Sequence, residues 1–298
     1  MANAGNRALG AVINKYRHIN GLGYYTYSKL YTSGVCPILD YCCESWGYKK
    51  FKEIDAIQNK AIRVYLGVHR FAPLLVVNGD MGWTNSHVRR KLAMFRFWNR
   101  LIKMPENRLP KIVFNWDMEQ SSTLSWSKQM RSLFESIDLI QHFDNREHVC
   151  TSKVWALLHE NFCKKWAESI SNKPKLRTYT TFKDIYQPEP FAMSLMSKKQ
   201  RSFIAQLRCG ILPLQIEVGR WTNKNLADRV CLVCDSGQVE CEHFVFKCDY
   251  YVTERQRYYN MITESVYNFC ELSETDKLKI CMSKEHVVEF SRFFMYNI

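Results

Sequence analysis

The run NSHVRRKLAMFRFWNRLIKM, residues 85–104, decides the fold class. Val88, Leu92, Phe95, Trp98 and Ile102 recur at spacings of three and four, which gathers them on one face of a helix. Arg89, Arg96, Arg100 and Lys103 follow at i, i+7, i+11 and i+14. They fall within roughly 60° of one another and read as a basic stripe on the opposite side. Pro105 and Pro110 end the helix. A stripe of this kind serves as a solvated face, as a surface that tracks phosphates or as a protein contact.

The same period continues outward in both directions. Residues 24–46 are apolar and aromatic-rich and read as one helix, broken or kinked near Pro37. In KEIDAIQNKAIRVYLGV, residues 52–68, the positions Ile54, Ile57, Ala61, Val64 and Tyr65 share a helical face, and Gly67 is placed to stop it. Residues 119–132 are polar and read as a loop or linker. Val154, Leu157, Leu158, Phe162 and Trp166 define another amphipathic helix. Residues 171–190 carry Pro174, Pro188 and Pro190 and read as a second linker, with Lys173, Lys175 and Lys183 as loop charges. Helices are expected over 197–209, with Phe203, Ile204 and Leu207 inward, and near 253–270 and 285–297. In the last of these Val287, Val288, Phe290, Phe293 and Phe294 are core residues. The expected fold is mainly α, divided into residues 1–80, 81–190 (with the basic helix 85–104) and 191–298.

Composition narrows the function classes. The chain has 298 residues with 8 Trp, 16 Tyr and 17 Phe, enough large side chains for packed cores rather than disorder. Its formal charge of +13 points to a polyanionic partner, nucleic acid before an anionic membrane surface. No stretch reaches the roughly 18 apolar residues of a membrane span, so no membrane partner is expected. The first residues, MANAGNRALGAVINKYRH, lack the apolar run of a secretory signal. The 12 cysteines are therefore expected in a reducing compartment, nucleus or cytoplasm, where clustered cysteines are metal ligands more often than disulfides.

One cluster stands out. Cys231-Leu-Val-Cys234, then His243 and Cys248, reads C-x2-C-x8-H-x4-C. Two thiolates two residues apart reach one ion from a tight turn, and the later His and Cys complete a tetrahedron. Three thiolates and one imidazole suit a single structural Zn²⁺ in a closed site. Cys241, two residues before His243, is a spare that is able to take its place, and Phe244 and Phe246 are placed to cover the site. The deaminase signature is absent, as are phosphate-binding, dinucleotide-binding and nucleophile-elbow motifs. His87, His142, His148 and His159 are scattered and read as surface or partly buried histidines.

The cluster and its flanks resemble a known family. The segments are Leu207–Arg220, Arg229–Cys234 and Glu242–Tyr250, with Leu30–Tyr41, Trp46-Gly47, Ile57–Val68 and Leu101–Pro110 upstream. In this order they are similar to the C-terminal part of reverse transcriptases from non-LTR (LINE-type) retrotransposons. The resemblance implies thumb-like helices over 1–80, a helical linker over 81–190 and a zinc knuckle at Cys231, Cys234, His243 and Cys248. It also implies binding of template RNA or target DNA, RNA first. The x8 loop is longer than that of retroviral nucleocapsid knuckles, so their base recognition is not carried over. A reverse transcriptase also needs paired aspartates for two Mg²⁺ ions. No Asp-Asp pair occurs here, and Asp40, Asp55 and Asp80 stand apart, so the expected chain is not an enzyme.

The expectation is thus a non-catalytic nucleic-acid-binding accessory region without a small-molecule substrate. Arg89, Arg96, Arg100, Lys103, Lys198, Lys199 and Arg201 are the candidate phosphate contacts, and Trp221, Phe244 and Tyr250 the candidate stacking residues. The alternatives are a zinc-stapled module that docks on another protein, or a decayed fragment of an element. The oligomeric state is left open.

Overall fold

The computed structural model describes residues 1–120, 122–173, 176–235 and 243–295. Among these the regular elements are all helices, so the mainly α expectation holds. The chain groups into two compact units. The first comprises Met1–Gly10, Tyr31–Gln58 and Thr84–Trp166, and the second Ala11–Leu30, Asn59–Trp83 and Ala167–Ile298.

The first unit is built on the helix Ser86–Lys103, where Asn85 caps the start by accepting from the His87 amide at 2.9 Å. Its buried face brings Leu92, Phe95, Trp98 and Leu101 against Phe114, Met130, Leu133, Phe134, Phe143 and Leu158. Trp98 stacks on Phe143 at 5.0 Å between ring centroids and meets Phe134 edge-on at 5.1 Å. Its indole N–H donates to the Glu147 carbonyl at 3.0 Å, so the polar end of a fully buried ring is satisfied. Asn99 donates to the Val149 carbonyl at 2.8 Å and accepts from the Val149 amide at 2.9 Å.

The second unit joins aromatic packing to a buried charge network. Tyr27 lies 5.0 Å from Tyr65 and stacks on Trp83 at 6.0 Å. The hydroxyls are used: Tyr27 donates to the Ala61 carbonyl at 2.8 Å and Tyr65 to that of Ala192 at 2.7 Å. Beside them Arg208 makes two hydrogen bonds to Asp80, at 2.9 and 2.8 Å, and reaches Glu189 at 3.0 Å. Tyr179 donates to Asp80 at 2.9 Å, and Lys183 pairs with Glu189. The side chains of Arg208 and Asp80 are each only 1% exposed.

The interruption expected near Pro37 is present, as a break rather than a kink. The helix Tyr24–Gly34 ends first, and Pro37 sits in the first turn of a new one, Cys36–Leu39, where its missing N–H has no helical acceptor to lose. The polar stretch 119–132 is not a plain linker, because Ser125 caps a helix over Trp126–Glu135 that buries Met130, Leu133 and Phe134. The stretch 171–190 is also built in: Tyr179, Lys183 and Tyr186 are buried. Helices without a sequence signal include Ala2–His18, Leu74–Met81, Leu109–Glu119, Ile140–Asp144, Gln215–Trp221 and Glu274–Cys281. The helix Lys198–Cys209 matches its expected bounds and carries a capping box between Ser197 and Gln200.

The charge network sets a stability test. Asp80→Ala leaves Arg208 buried with half its partners gone and should cost about 3–5 kcal/mol in urea unfolding. Arg131→Ala, which breaks only exposed pairs to Glu135 and Asp144, should cost under about 1 kcal/mol.

Candidate metal centre and basic groove

Two local turns assemble the cysteine–histidine cluster in the second unit. The Asp235 amide donates back to the Cys231 carbonyl at 2.9 Å, and Asp235 takes a left-handed φ of 50° that closes the turn. This folds the Cys-x2-Cys segment so that both thiols face one way. On the other side His243–Lys247 forms a single wide helical turn, closed by the Cys248 amide donating to the His243 carbonyl at 2.8 Å. That turn returns Cys248 beside His243.

The turns bring the four side chains into one cluster that could hold a metal ion. The Sγ atoms of Cys231 and Cys248 are 3.9 Å apart, and Cys234 Sγ lies 3.4 Å from His243 Nε2. All four ligand atoms lie within 4.8 Å of one another. Zinc–ligand bonds of about 2.3 Å to sulfur and 2.0 Å to nitrogen give tetrahedral edges of about 3.8 and 3.5 Å. The group is therefore able to hold one metal ion at these distances. Cys231 and Cys248 are buried, while Cys234 and His243 are half-buried. The cysteines are free thiols rather than a disulfide. Burial pushes the Cys248 thiol up to about 11, and Cys234 and Cys231 push it the same way. Burial thus favours the neutral Cys248 thiol, and a cation held by the cluster would favour the thiolate instead.

Surrounding residues fix the ligands. Arg255, itself buried, donates to the Cys248 carbonyl at 2.7 Å. Phe244 is buried and packs edge-on against Tyr251 at 5.1 Å, while Phe246 is half-buried. Tyr250 is 67% exposed. Cys241 and Lys175 lie outside the described residues, as does the side chain of Trp221.

The basic candidates divide by environment. Arg201 is 3% exposed, donates to the Tyr16 hydroxyl at 3.1 Å and lies over the Tyr65 ring at 4.2 Å. Its guanidinium points inward, so it props the aromatic cluster of the second unit. Arg89 is likewise turned inward, bound to Asp40 at 3.1 Å and to Gln58 at 3.0 Å. The basic and apolar stripes centre about 110° apart at 100° per residue, beside rather than opposite each other. The partners Asp40 and Gln58 are what turn Arg89 inward, while Arg96 and Arg100, at similar angles, stay outside. Arg96, Arg100 and Lys103 are exposed. In the second unit Lys199 is exposed, and Lys198 is half-buried over the Tyr16 ring at 4.5 Å.

Arg100 and Lys103 line a shallow groove of about 600 Å³ in the first unit, together with Arg108 and His148. Asn99, Met104 and Pro105 complete the lining, which includes no carboxylate. Arg100 reaches Glu44 at 3.5 Å, but with exposures of 65% and 36% that pair is weak and easily exchanged. Arg108 and His148 were not read as site residues. Nothing local marks them, since one follows the helix and the other arrives through the Asn99–Val149 clamp.

The chain matches no protein-family model, and comparison with curated proteins and with solved structures likewise gives no match. No helix among the described residues is long and apolar enough to cross a membrane.

The centre predicts one bound metal per chain by elemental analysis of protein expressed in zinc-replete cells. Cys231→Ser or Cys248→Ser should abolish it. Most of the helical circular dichroism should survive, because the cluster organises a short segment.

Proposed function

We propose that the chain is a non-catalytic nucleic-acid-binding region, of the kind found at the C-terminal end of non-LTR retrotransposon reverse transcriptases, with a structural Zn²⁺ at Cys231, Cys234, His243 and Cys248. The observation that carries this reading is the groove of Arg100, Lys103, Arg108 and His148, without a lining carboxylate, in a chain of formal charge +13. Closely spaced cations on a shallow, open surface suit a phosphate backbone, which needs charge and width rather than enclosure. Structured RNA is the first expected ligand. Arg96 extends the charge one turn along the helix. The second unit would add Lys198 and Lys199, while Arg89 and Arg201 act as internal supports.

The zinc assignment rests on the donor set. Three sulfurs and one imidazole nitrogen at tetrahedral edge lengths favour Zn²⁺ over hard cations, which prefer oxygen. Four protein ligands leave no open position, so the metal would hold the segment 231–248 folded and perform no chemistry.

A non-catalytic role agrees with the aspartates. Asp80 is buried under Arg208, Asp40 holds Arg89, and Asp55 accepts from Arg90 and from Ser86. Each is committed to an ion pair, and no two adjoin in sequence to share metal ions.

Fluorescence anisotropy of the metal-loaded chain with a labelled structured RNA, titrated across salt, tests the reading. Binding should weaken steeply with salt, and Arg100→Glu with Lys103→Glu should flatten the logarithmic slope by about two phosphate contacts. Affinity indifferent to salt and to both substitutions would overturn it. Loss of binding in Cys231→Ser alone would move the grip to the metal module.

A further inference from the structure

The helix Leu109–Glu119 has two apolar faces. Phe114 is 3% exposed and, with half-buried Met118, faces the core of the first unit. On the other side Leu109, Ile112, Val113 and Trp116 are 72%, 51%, 52% and 61% exposed. They follow i, i+3, i+4 and i+7, cover about 100° of the helix and lie diametrically across from Phe114 and Met118. A helix with an apolar stripe on each of two sides is normally covered on both. One exposed leucine needs no explanation, but four large side chains in a single stripe do.

The ends of the stripe say what covers it. Arg108 directly precedes the helix and Glu119 is its last residue, and both are exposed. Eleven residues apart, they lie about 20° apart around the axis and about 16 Å apart along it, on the same flank of the stripe. A second copy laid antiparallel about a two-fold axis between Ile112 and Val113 sets Ile112 opposite Val113 of the second copy and Leu109 opposite its Trp116. Arg108 and the second copy's Glu119 then lie on the same flank about 3 Å out of register, within reach of long side chains. With Glu106 already paired to Lys111, the flank offers Arg108 and Glu119 as opposite charges that complement those of a second copy. It suits neither an anionic membrane surface nor a uniformly acidic helix.

We propose that this face pairs two copies of the chain through antiparallel Leu109–Glu119 helices. The contact is isologous, so it closes at two copies. The stripe offers a few hundred Å² per copy, at the low end of specific interfaces, so the dimer is a weak, concentration-dependent one in the micromolar range.

Sedimentation equilibrium of the full, metal-loaded chain without nucleic acid tests this, from micromolar to several hundred micromolar protein. A monomer–dimer equilibrium is expected. Ile112→Glu and, separately, Val113→Lys should raise the dissociation constant by about tenfold or more. Their circular dichroism should stay unchanged, since both side chains are on the surface. Arg108→Glu and Glu119→Arg should each weaken the dimer, and the double variant should restore it. A monomer at every concentration, or a dimer indifferent to Ile112→Glu, overturns the proposal. Because Arg108 also lines the groove, the test rests on Ile112 and Val113, and RNA binding by the Ile112→Glu monomer is assayed separately.

Discussion

The buried pairing of Arg208 with Asp80 is the constraint on which the second unit depends. It joins side chains 128 residues apart in sequence. Desolvating a guanidinium and a carboxylate costs several kcal/mol each, and only near-ideal geometry with further hydrogen bonds offsets that. Here Tyr179, Glu189 and Lys183 supply those bonds. The backbone helps as well, because the Glu189 amide donates to the Asp80 carbonyl at 2.9 Å. Many alternative helix packings would be equally greasy, but few would leave these five side chains paired. The charges thus select one packing among similar apolar ones. The Cys–His cluster belongs to the same unit, beyond the helices Lys198–Cys209 and Gln215–Trp221.

What the sequence disclosed follows from the range of each interaction. The helix Ser86–Lys103 was legible because its apolar period, its Asn85 cap and the proline beyond its end are all local. The metal ligands were legible because two short turns, not a fold, bring them together. The linker reading of residues 171–190 failed for the opposite reason. Tyr179, Lys183 and Tyr186 look polar in sequence, yet their polar atoms find Asp80, Glu189 and the Trp83 carbonyl. A polar residue with a distant partner looks like a loop residue until that partner is known. Arg89 and Arg201 teach the same point for cations: a basic spacing tells which residues share a side, not which are already satisfied. His148 and Arg108 carried no signal, since a groove is a property of surfaces that meet.

The two candidate sites differ in what holds them together. The Cys–His cluster rests on a few buried side chains, Phe244, Val245 and Tyr251, and a metal ion held by its four ligands would add to its order. The groove draws its order from the aromatic core beneath it, where Trp98 and Phe143 stack. Under the proposed function one site would be organised by a metal ion, whereas the other owes its arrangement to protein packing. The first unit should therefore present its cations in the same arrangement whether or not metal is supplied.

The Asn99 side chain gives that arrangement its accuracy. The two hydrogen bonds it exchanges with Val149 are the pair that a residue on a neighbouring strand would make. A side-chain amide thus acts as one rung of a ladder in an otherwise helical framework. His148, the next residue along, takes its place from that rung rather than from the drift of a loop. The groove's far wall is therefore set during folding, and under the proposed function a polyanion would find its counter-charges already registered. Little conformational freedom remains to be lost on contact, which favours fast capture and rapid exchange over slow, adaptive closure.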